Sequence, residues 1–138
     1  MTTLTTFLGH SASGKSIALA HSILAFSELS LKRVIVADPA DNLIERIGGS
    51  APLLTFIPDV EDFWQMMKAA SSGEESYKGG QLKDSVLAMD ESTILFNTPP
   101  DTDERKVQFD LLLAVLRMGV FSDVLLLKIT LLVSFTMT

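Results

Sequence analysis

One short segment near the start of the chain carries residue types that bind phosphate. Residues 9–16 read G-H-S-A-S-G-K-S and match the pattern G-x-x-x-x-G-K-[S/T] at every fixed position. Glycines let the backbone turn tightly, so that successive N–H groups point at phosphate oxygens, while the lysine reaches the terminal phosphates and the hydroxyl joins a Mg²⁺ shell. The sequence therefore predicts an ATP and Mg²⁺ site made of Gly9, His10, Ser11, Ala12, Ser13, Gly14, Lys15 and Ser16, with Lys15 catalytic and Ser16 on the metal.

The elements around this loop are those that such a site needs. Leu4–Leu8 is predicted to be a strand, and Lys15–Leu29 a helix that is apolar nearly all round and therefore buried on most sides. Val34–Ala37 is a continuous β-branched run, as in a parallel strand buried on both faces. Strand, glycine loop, helix and strand together make one βαβ unit, whose helix directs its positive end at the phosphates.

The rest of the chain continues the alternation of helix and strand. Helices are predicted over 43–47, 59–70 and 105–117, and strands over 92–96, 124–127 and 131–135. The helix over 105–117 is expected to bury Val107, Leu111, Ala114 and Val115 on one face. Residues 71–81 are polar and glycine-rich and predict a mobile loop, whereas the methionine-rich stretch 63–67 is either core or a surface for a client protein.

Composition limits the function further. The chain has 138 residues, 47% of them hydrophobic, and a net charge of −6, which argues against disorder and against non-specific binding of nucleic acid. It has no cysteine and two histidines, which excludes thiolate metal sites and thiol nucleophiles. The longest apolar stretch, 124–137, is shorter than a membrane-spanning helix needs.

Residues 33–43 give the sequence a resemblance to a known family. Asp38-Pro39-Ala40-Asp41-Asn42-Leu43 after an apolar strand is similar to the D-P-A-H-[NS]-L switch I of the ArsA/Get P-loop ATPases, and Phe7 to Ser16 is similar to their F-x-G-K-G-G-x-G-K-[ST]. Met89-Asp90-Glu91 is a weaker echo of a P-G-x-D-E segment. The resemblance covers residues 4–44 and implies an α/β fold, a P-loop NTPase-type mainly parallel sheet with flanking helices. Family domains are much longer, which implies one incomplete domain over residues 1–138, with P-loop 9–16 and switch I 38–43.

The same resemblance implies an ATPase that opens and closes as a homodimer, with Asp38 positioning the attacking water. A carboxylate at the end of the strand beside the P-loop would face the nucleotide crevice. His10 replaces the lysine that reaches across the dimer in the family. The acid expected at the end of a later strand is replaced by Asn97 or by Lys128, with Asp101 and Asp103 as nearby carboxylates.

These departures leave other functions open. One alternative is a nucleotide-binding regulator that does not hydrolyse ATP, and another is an inactive truncated remnant. A small-molecule kinase ranks lower, because it would need an arginine-bearing lid. The absence of N-K-x-D favours ATP over GTP. The expected partners are nucleotide, a second copy and an unidentified client, without nucleic acid or a membrane span, in the cytoplasm or inside an organelle after loss of a transit peptide.

Overall fold

The described part of the chain is built on parallel strands. A computed structural model describes residues 2–7, 15–39, 42–47, 53–90 and 95–127. Its elements, in chain order, are β1 (Thr3–Phe7), α1 (Lys15–Glu28), β2 (Val34–Ala37), α2 (Asn42–Ile47), β3 (Leu54–Ile57), α3 (Val60–Ser71), β4 (Ser76–Tyr77), β5 (Gly80–Gln81), β6 (Val86–Met89), α4 (Asp103–Met118) and β7 (Asp123–Leu127). None of the helices in these ranges is long and apolar enough to cross a membrane.

Five of the strands form one sheet in the order β1-β7-β6-β2-β3, and every neighbouring pair is parallel. Both faces are covered by helices. One core cluster packs α1 and α2 on Val34 and Val36 of β2, and the other packs α3 and α4 on Ile35 and Ala37. The predicted α/β class, with a mainly parallel sheet and flanking helices, is confirmed.

Helix caps explain where α3 and α4 begin. The Asp59 carboxylate accepts the N–H of Glu61 at 2.9 Å, and the Thr102 hydroxyl accepts the N–H of Arg105 at 3.2 Å. α4 ends at Gly119, whose φ of 68° is the left-handed conformation that glycine adopts without strain. Both helices therefore start directly after a residue whose side chain caps them.

Two helices bury less than the sequence suggests. α1 is not buried on most sides. Its apolar residues extend beyond the face that packs on the sheet, so Ile17 is 47% exposed, and His21 is also exposed. In α4 the buried residues are Leu112 and Val115, and Val107 is 63% exposed. The face of α4 on the sheet is thus rotated from the predicted one. Met66 and Met67 of α3 are 1% and 0% exposed, so that stretch belongs to the core.

The polar segment 71–81 is more ordered than a featureless loop. β4 and β5 form an antiparallel hairpin whose turn residues Lys78 and Gly79 have φ values of 48° and 81°. Positive φ at both central residues is typical of a two-residue hairpin turn. The Tyr77 hydroxyl donates to Asp62 at 2.5 Å and the Lys78 amine lies 2.9 Å from the same carboxylate oxygen, so the hairpin is tied to α3. The mobility of this segment stays a prediction.

Candidate functional site

The candidate site lies where the parallel strands end. Ala37 of β2 is in register with Met89 of β6, and Met89 is in register with Leu126 of β7. The carboxyl ends of these strands therefore form one edge, which in open α/β sheets is where ligands bind. Asp38 and Asp90 are the residues that directly follow β2 and β6.

Asp38 is a buried carboxylate that closes the turn between β2 and α2. Its side chain belongs to a residue that is only 1% exposed. Oδ2 accepts the backbone N–H groups of Leu43 at 3.0 Å and Ile44 at 2.9 Å, which are among the first N–H groups of α2. Oδ1 is buried and accepts no hydrogen bond from a described residue. One oxygen of Asp38 thus holds the helix, and the other is oriented away from these two bonds.

Asp90 lies beside Asp38 and is 0% exposed. Its N–H donates to the carbonyl of Ala37 at 3.0 Å, which extends the β2–β6 ladder to the level of the two acids. Side chains alternate between faces along a strand, and Val86 and Ala88 pack in the cluster that contains α1. The same alternation places Asp90 on that face. Two carboxylates from adjacent strands therefore lie side by side toward α1, about 5 Å apart at the backbone.

The predicted phosphate loop connects to this edge through the chain itself. Residues 9–14 of the loop, including His10, lie outside the described residues. Lys15 and Ser16 are the first two residues of α1, and β1 ends at Phe7 in register with Leu127. Since β1 is parallel to the other strands, it ends at their carboxyl edge, and α1 returns across the face toward which both acids point.

Strand order changes which acid lies closer to the loop. β7 and β6 lie between β1 and β2 in the sheet, so the strand that Asp38 follows is not the direct neighbour of the strand that leads into the loop. At about 4.8 Å per strand, β6 lies about 10 Å from β1 and β2 about 14 Å. Asp90 is therefore the nearer carboxylate. The role assigned to Asp38 in positioning water stays a prediction.

The structure describes one of the two places where the sequence analysis sought the acid of a later strand. Asn97 does not follow a strand: Leu95 and Phe96 are not in the sheet, and Asn97 is fixed to α4 by the Gln108 amide at 2.8 Å. Asp101 and Asp103 are exposed at the start of α4, and Lys128 lies outside the described residues. The sequence signal for Asp90 was present, because four apolar residues, 86–89, precede the acidic pair 90–91. It was read only as a weak echo of a family segment.

Two grooves among the described residues do not include the paired acids. One of about 380 Å³ lies between α3 and α4 and is lined by Trp64, Asn97, Thr98 and Gln108 among others. Another of about 270 Å³ lies between β3, α3 and the hairpin. Volume alone would direct attention to these grooves, but neither has a buried acid pair. The described residues also contain no cluster of three or more histidine, cysteine or acidic side chains that could hold a metal ion.

Comparison with known proteins gives a structural likeness but no match in sequence. No family model matches the chain, and no curated protein matches it in sequence. The fold is similar to that of the pCW3 conjugation coupling protein TcpA, in its monomer form with ATPγS, at a TM-score of 0.48 and 16% identity. The match covers 91% of this chain and 41% of that one, so the chain spans about two fifths of the coupling protein. The fold described above rests on the strand order and register themselves.

Proposed function

We propose that this chain binds Mg·ATP at the carboxyl edge of its sheet. The observation that carries the proposal is the pair of buried carboxylates, Asp38 and Asp90, on the same edge and face as the start of α1. Two adjacent acids taken out of water are costly unless cations or hydrogen-bond donors accompany them. The glycine-rich motif immediately before α1 supplies a lysine, a hydroxyl and the positive end of a helix.

Each residue of the motif has a chemical task in this proposal. Backbone N–H groups of residues 9–14 surround the phosphates, and Lys15 balances the charge of the β- and γ-phosphates. The residues fit Mg²⁺, because hard cations prefer carboxylate and hydroxyl oxygens and Asp90 places a fully buried carboxylate on the face that α1 covers. Ser16 and Asp90 would hold the ion, Ser16 through its hydroxyl. When bound, Mg²⁺ neutralises charge on the phosphate oxygens.

Hydrolysis of ATP is the activity that this arrangement favours. Phosphoryl transfer needs positioning and charge neutralisation more than covalent participation by the protein. Asp38 is proposed to orient the attacking water through its second oxygen, while its first oxygen keeps α2 in place. Because Oδ2 of Asp38 is already bonded to α2, only one oxygen remains to orient the water. This favours one alternative, a regulator that binds nucleotide without hydrolysing it.

The finer assignment to the ArsA/Get type rests on residues 38–43 and the loop motif alone. It implies a homodimer that closes on ATP. Among the described residues, no surface is assigned to contact with a second copy. The bonds from Asp38 to Leu43 and Ile44 support a coupled movement, because a shift of the carboxylate toward a nucleotide would release α2. ATP-dependent dimerisation in sedimentation velocity would support this type, and a monomer with and without saturating Mg·ATP would remove it.

The first test is calorimetric titration with Mg·ATP. Loss of Lys15 removes a charge-assisted contact worth about 1.5–3 kcal/mol, so Lys15→Ala should weaken binding about tenfold or more. Asp90→Asn should reduce the dependence of binding on Mg²⁺ and leave binding of metal-free ATP less affected. Lys106→Ala, an exposed lysine on α4, is the matched control and should bind as the wild type does. A folded wild-type chain that takes up no nucleotide would refute the proposal.

A further inference from the structure

The groove of about 270 Å³ beside β3 lies on the face of the sheet that α3 covers. Its floor is apolar and consists of side chains that are at most 7% exposed, namely Ile35, Ile57, Met66 and Leu82. The hairpin lines it as well, through Gly79–Gln81. The paired acids are placed toward α1, on the other face, so this groove is separate from the proposed nucleotide site.

The groove opens onto an unpaired strand edge. In the described sheet, β3 pairs with β2 alone, and the hairpin does not join it. The carbonyls of Leu53 and Ile57 accept N–H groups of β2 at 2.9 and 3.0 Å. Because alternate residues of a parallel strand bond to the same neighbour, Leu54 and Phe56 direct their N–H and C=O groups away from the sheet. These two residues therefore offer main-chain donors and acceptors to a further strand.

Phe56 shows that this edge reaches the groove. Its side chain packs in the cluster with α1, on the opposite face, yet Phe56 also lines the groove. Its main chain is therefore the part that the groove exposes. Thr55 lines the groove too and is exposed. From the level of Leu53 to that of Ile57 the edge is about 13 Å long, which matches four residues of extended chain.

The charge at the groove is positive, although the net charge of the chain is −6. Arg33 precedes β2 and, by alternation, lies on the same face as Ile35 of the floor. Its side chain forms no ion pair with a described carboxylate. Lys78 also lines the groove, but its amine is paired with Asp62 at 2.9 Å. Arg33 is thus the cation whose charge the described residues do not balance.

We propose that this groove binds an extended peptide, which adds a strand to β3 and places an acidic side chain at Arg33. Main-chain bonds to Leu54 and Phe56 supply affinity, and side chains two residues apart face the floor, as in other cases of strand addition. The residue facing Arg33 is glutamate or aspartate, and those facing Ile35 and Ile57 are apolar. The spacing acidic-x-apolar-x-apolar, in either chain direction, is therefore the feature that this site recognises. The inference does not depend on nucleotide binding.

The probes are fluorescein-labelled peptides with this spacing. They are S-E-S-V-S-V-S and its reverse S-V-S-V-S-E-S, because a strand can be added in either direction, and each has a partner with glutamine in place of glutamate. Binding to the full chain is measured by fluorescence anisotropy. The test variant is Arg33→Gln, which keeps the main-chain carbonyl that accepts the N–H of Val86 at 2.9 Å. The matched control is Arg117→Gln, an exposed arginine on α4.

One glutamate peptide should bind saturably, with a Kd below about 1 mM. Its glutamine partner should bind at least about fivefold more weakly, because charge-assisted hydrogen bonds are stronger than neutral ones. Arg33→Gln should bind both peptides equally and at the weaker affinity, whereas Arg117→Gln should match the wild type. N-methylation at successive peptide positions should abolish and spare binding in turn, because only alternate N–H groups face β3.

Four results would overturn the proposal. The first is a folded wild-type chain that binds neither glutamate peptide. The second is hexanoate binding as tightly as the peptide, which would make the groove a site for a small carboxylate. The third is an equal effect of N-methylation at every position, which is incompatible with strand pairing. The fourth is a dimer in sedimentation velocity that Thr55→Lys dissociates, since a second copy would then occupy the edge.

The acidic contact can be tested even if Arg33→Gln does not fold. The glutamate and glutamine peptides are then compared on the unaltered chain. Equal affinities would refute the role of Arg33, and a difference of at least about fivefold that is lost in high salt would support it.

Discussion

Replacement of Asp38 separates its structural task from its proposed catalytic one. Asp38→Ala removes the acceptor of two backbone N–H groups, those of Leu43 and Ile44. Leu43 is 0% exposed, so water cannot easily replace the lost acceptor. Asp38→Asn instead leaves an amide oxygen in the place of Oδ2, which accepts the same two bonds. The alanine variant should therefore lose stability, and the asparagine variant should largely retain it.

The size of the loss follows from those two groups. A buried N–H left without an acceptor costs about 1–3 kcal/mol, and the half-buried N–H of Ile44 about 0.5–1.5 kcal/mol. Asp38→Ala should thus lower the free energy of unfolding by about 2–4 kcal/mol, which is large against the total of about 5–15 kcal/mol for a domain. Asp38→Asn should lower it by less than about 1 kcal/mol. Glu45→Ala, an exposed change on α2 itself, should stay within about 0.5 kcal/mol.

Urea unfolding followed by Trp64 fluorescence measures these differences. With a slope of about 1–3 kcal/mol per M, a loss of about 3 kcal/mol moves the midpoint by about 1–3 M. Equal stability of the alanine and asparagine variants would refute the assigned role of the carboxylate in holding α2. If Asp38→Asn is as stable as predicted and also loses ATP turnover, the second oxygen has a task that the fold does not require.

Four other substitutions test three separate parts of the structure. Met67→Ala should cost about 2–5 kcal/mol because Met67 is 0% exposed, whereas Val107→Ala, at 63% exposed, should leave the urea midpoint unchanged. The Tyr77 hydroxyl, which donates to the Asp62 carboxylate, is the largest cause that lowers the pKa of Asp62 from its ordinary value of 3.8. Because the pKa of Asp62 is lower in the folded state, its contribution to stability is present above the unfolded pKa and is lost as the pH falls through the folded pKa. The urea midpoint of the wild type should therefore fall when the pH is lowered below about 4, and that of Asp62→Asn should fall less. Gly79→Ala should lower the melting temperature by an amount equivalent to about 1 kcal/mol, because φ is 81° while nothing lies within 4 Å of the added carbon. A neutral Gly79→Ala would show that the turn relaxes to another conformation.

Elements with a strong local signal were predictable from the sequence. Val34–Ala37 is β-branched and apolar throughout, and it forms the strand β2. α3 begins after Asp59, which caps it, and it buries Met66 and Met67 of the methionine-rich stretch. In these cases the local preference and the tertiary environment agree.

β6 was missed because its residues have no strong preference for a strand. Val86–Met89 contains alanine and methionine, and the sequence interpretation placed the strand over 92–96 instead. Residues 92–94 lie outside the described residues, while Leu95 and Phe96 are not in the sheet. β6 exists because β2 and β7 bond to it on both sides and bury all four of its residues. β3, Leu54–Ile57, was missed for a related reason, since it is defined by its pairing with β2.

The candidate site could be predicted only in part. The loop motif and Asp38 were found from local patterns, but the proximity of Asp38 to Asp90 depends on strand order. These residues are far apart in the chain and become neighbours only because β6 inserts between β7 and β2. The contacts of Arg105 also depend on the tertiary structure: nothing near Arg105 in the sequence indicates that its guanidinium donates to the carbonyls of Phe96 and Thr98.

The order of the sheet also constrains how the chain is made. In the described sheet, β1 pairs with β7 alone, with Thr3 opposite Asp123 and Phe7 opposite Leu127. During synthesis β1 must therefore wait for β7, about 120 residues later in the chain, before this partner exists, and at about 5–20 residues per second that wait is about 6–25 seconds. Closing so long a loop is slow, and an unpaired strand is exposed to other chains meanwhile. The strand that leads into the phosphate loop is thus expected to dock last in biosynthesis, and chaperones that shield nascent strands should raise the yield of nucleotide-competent protein.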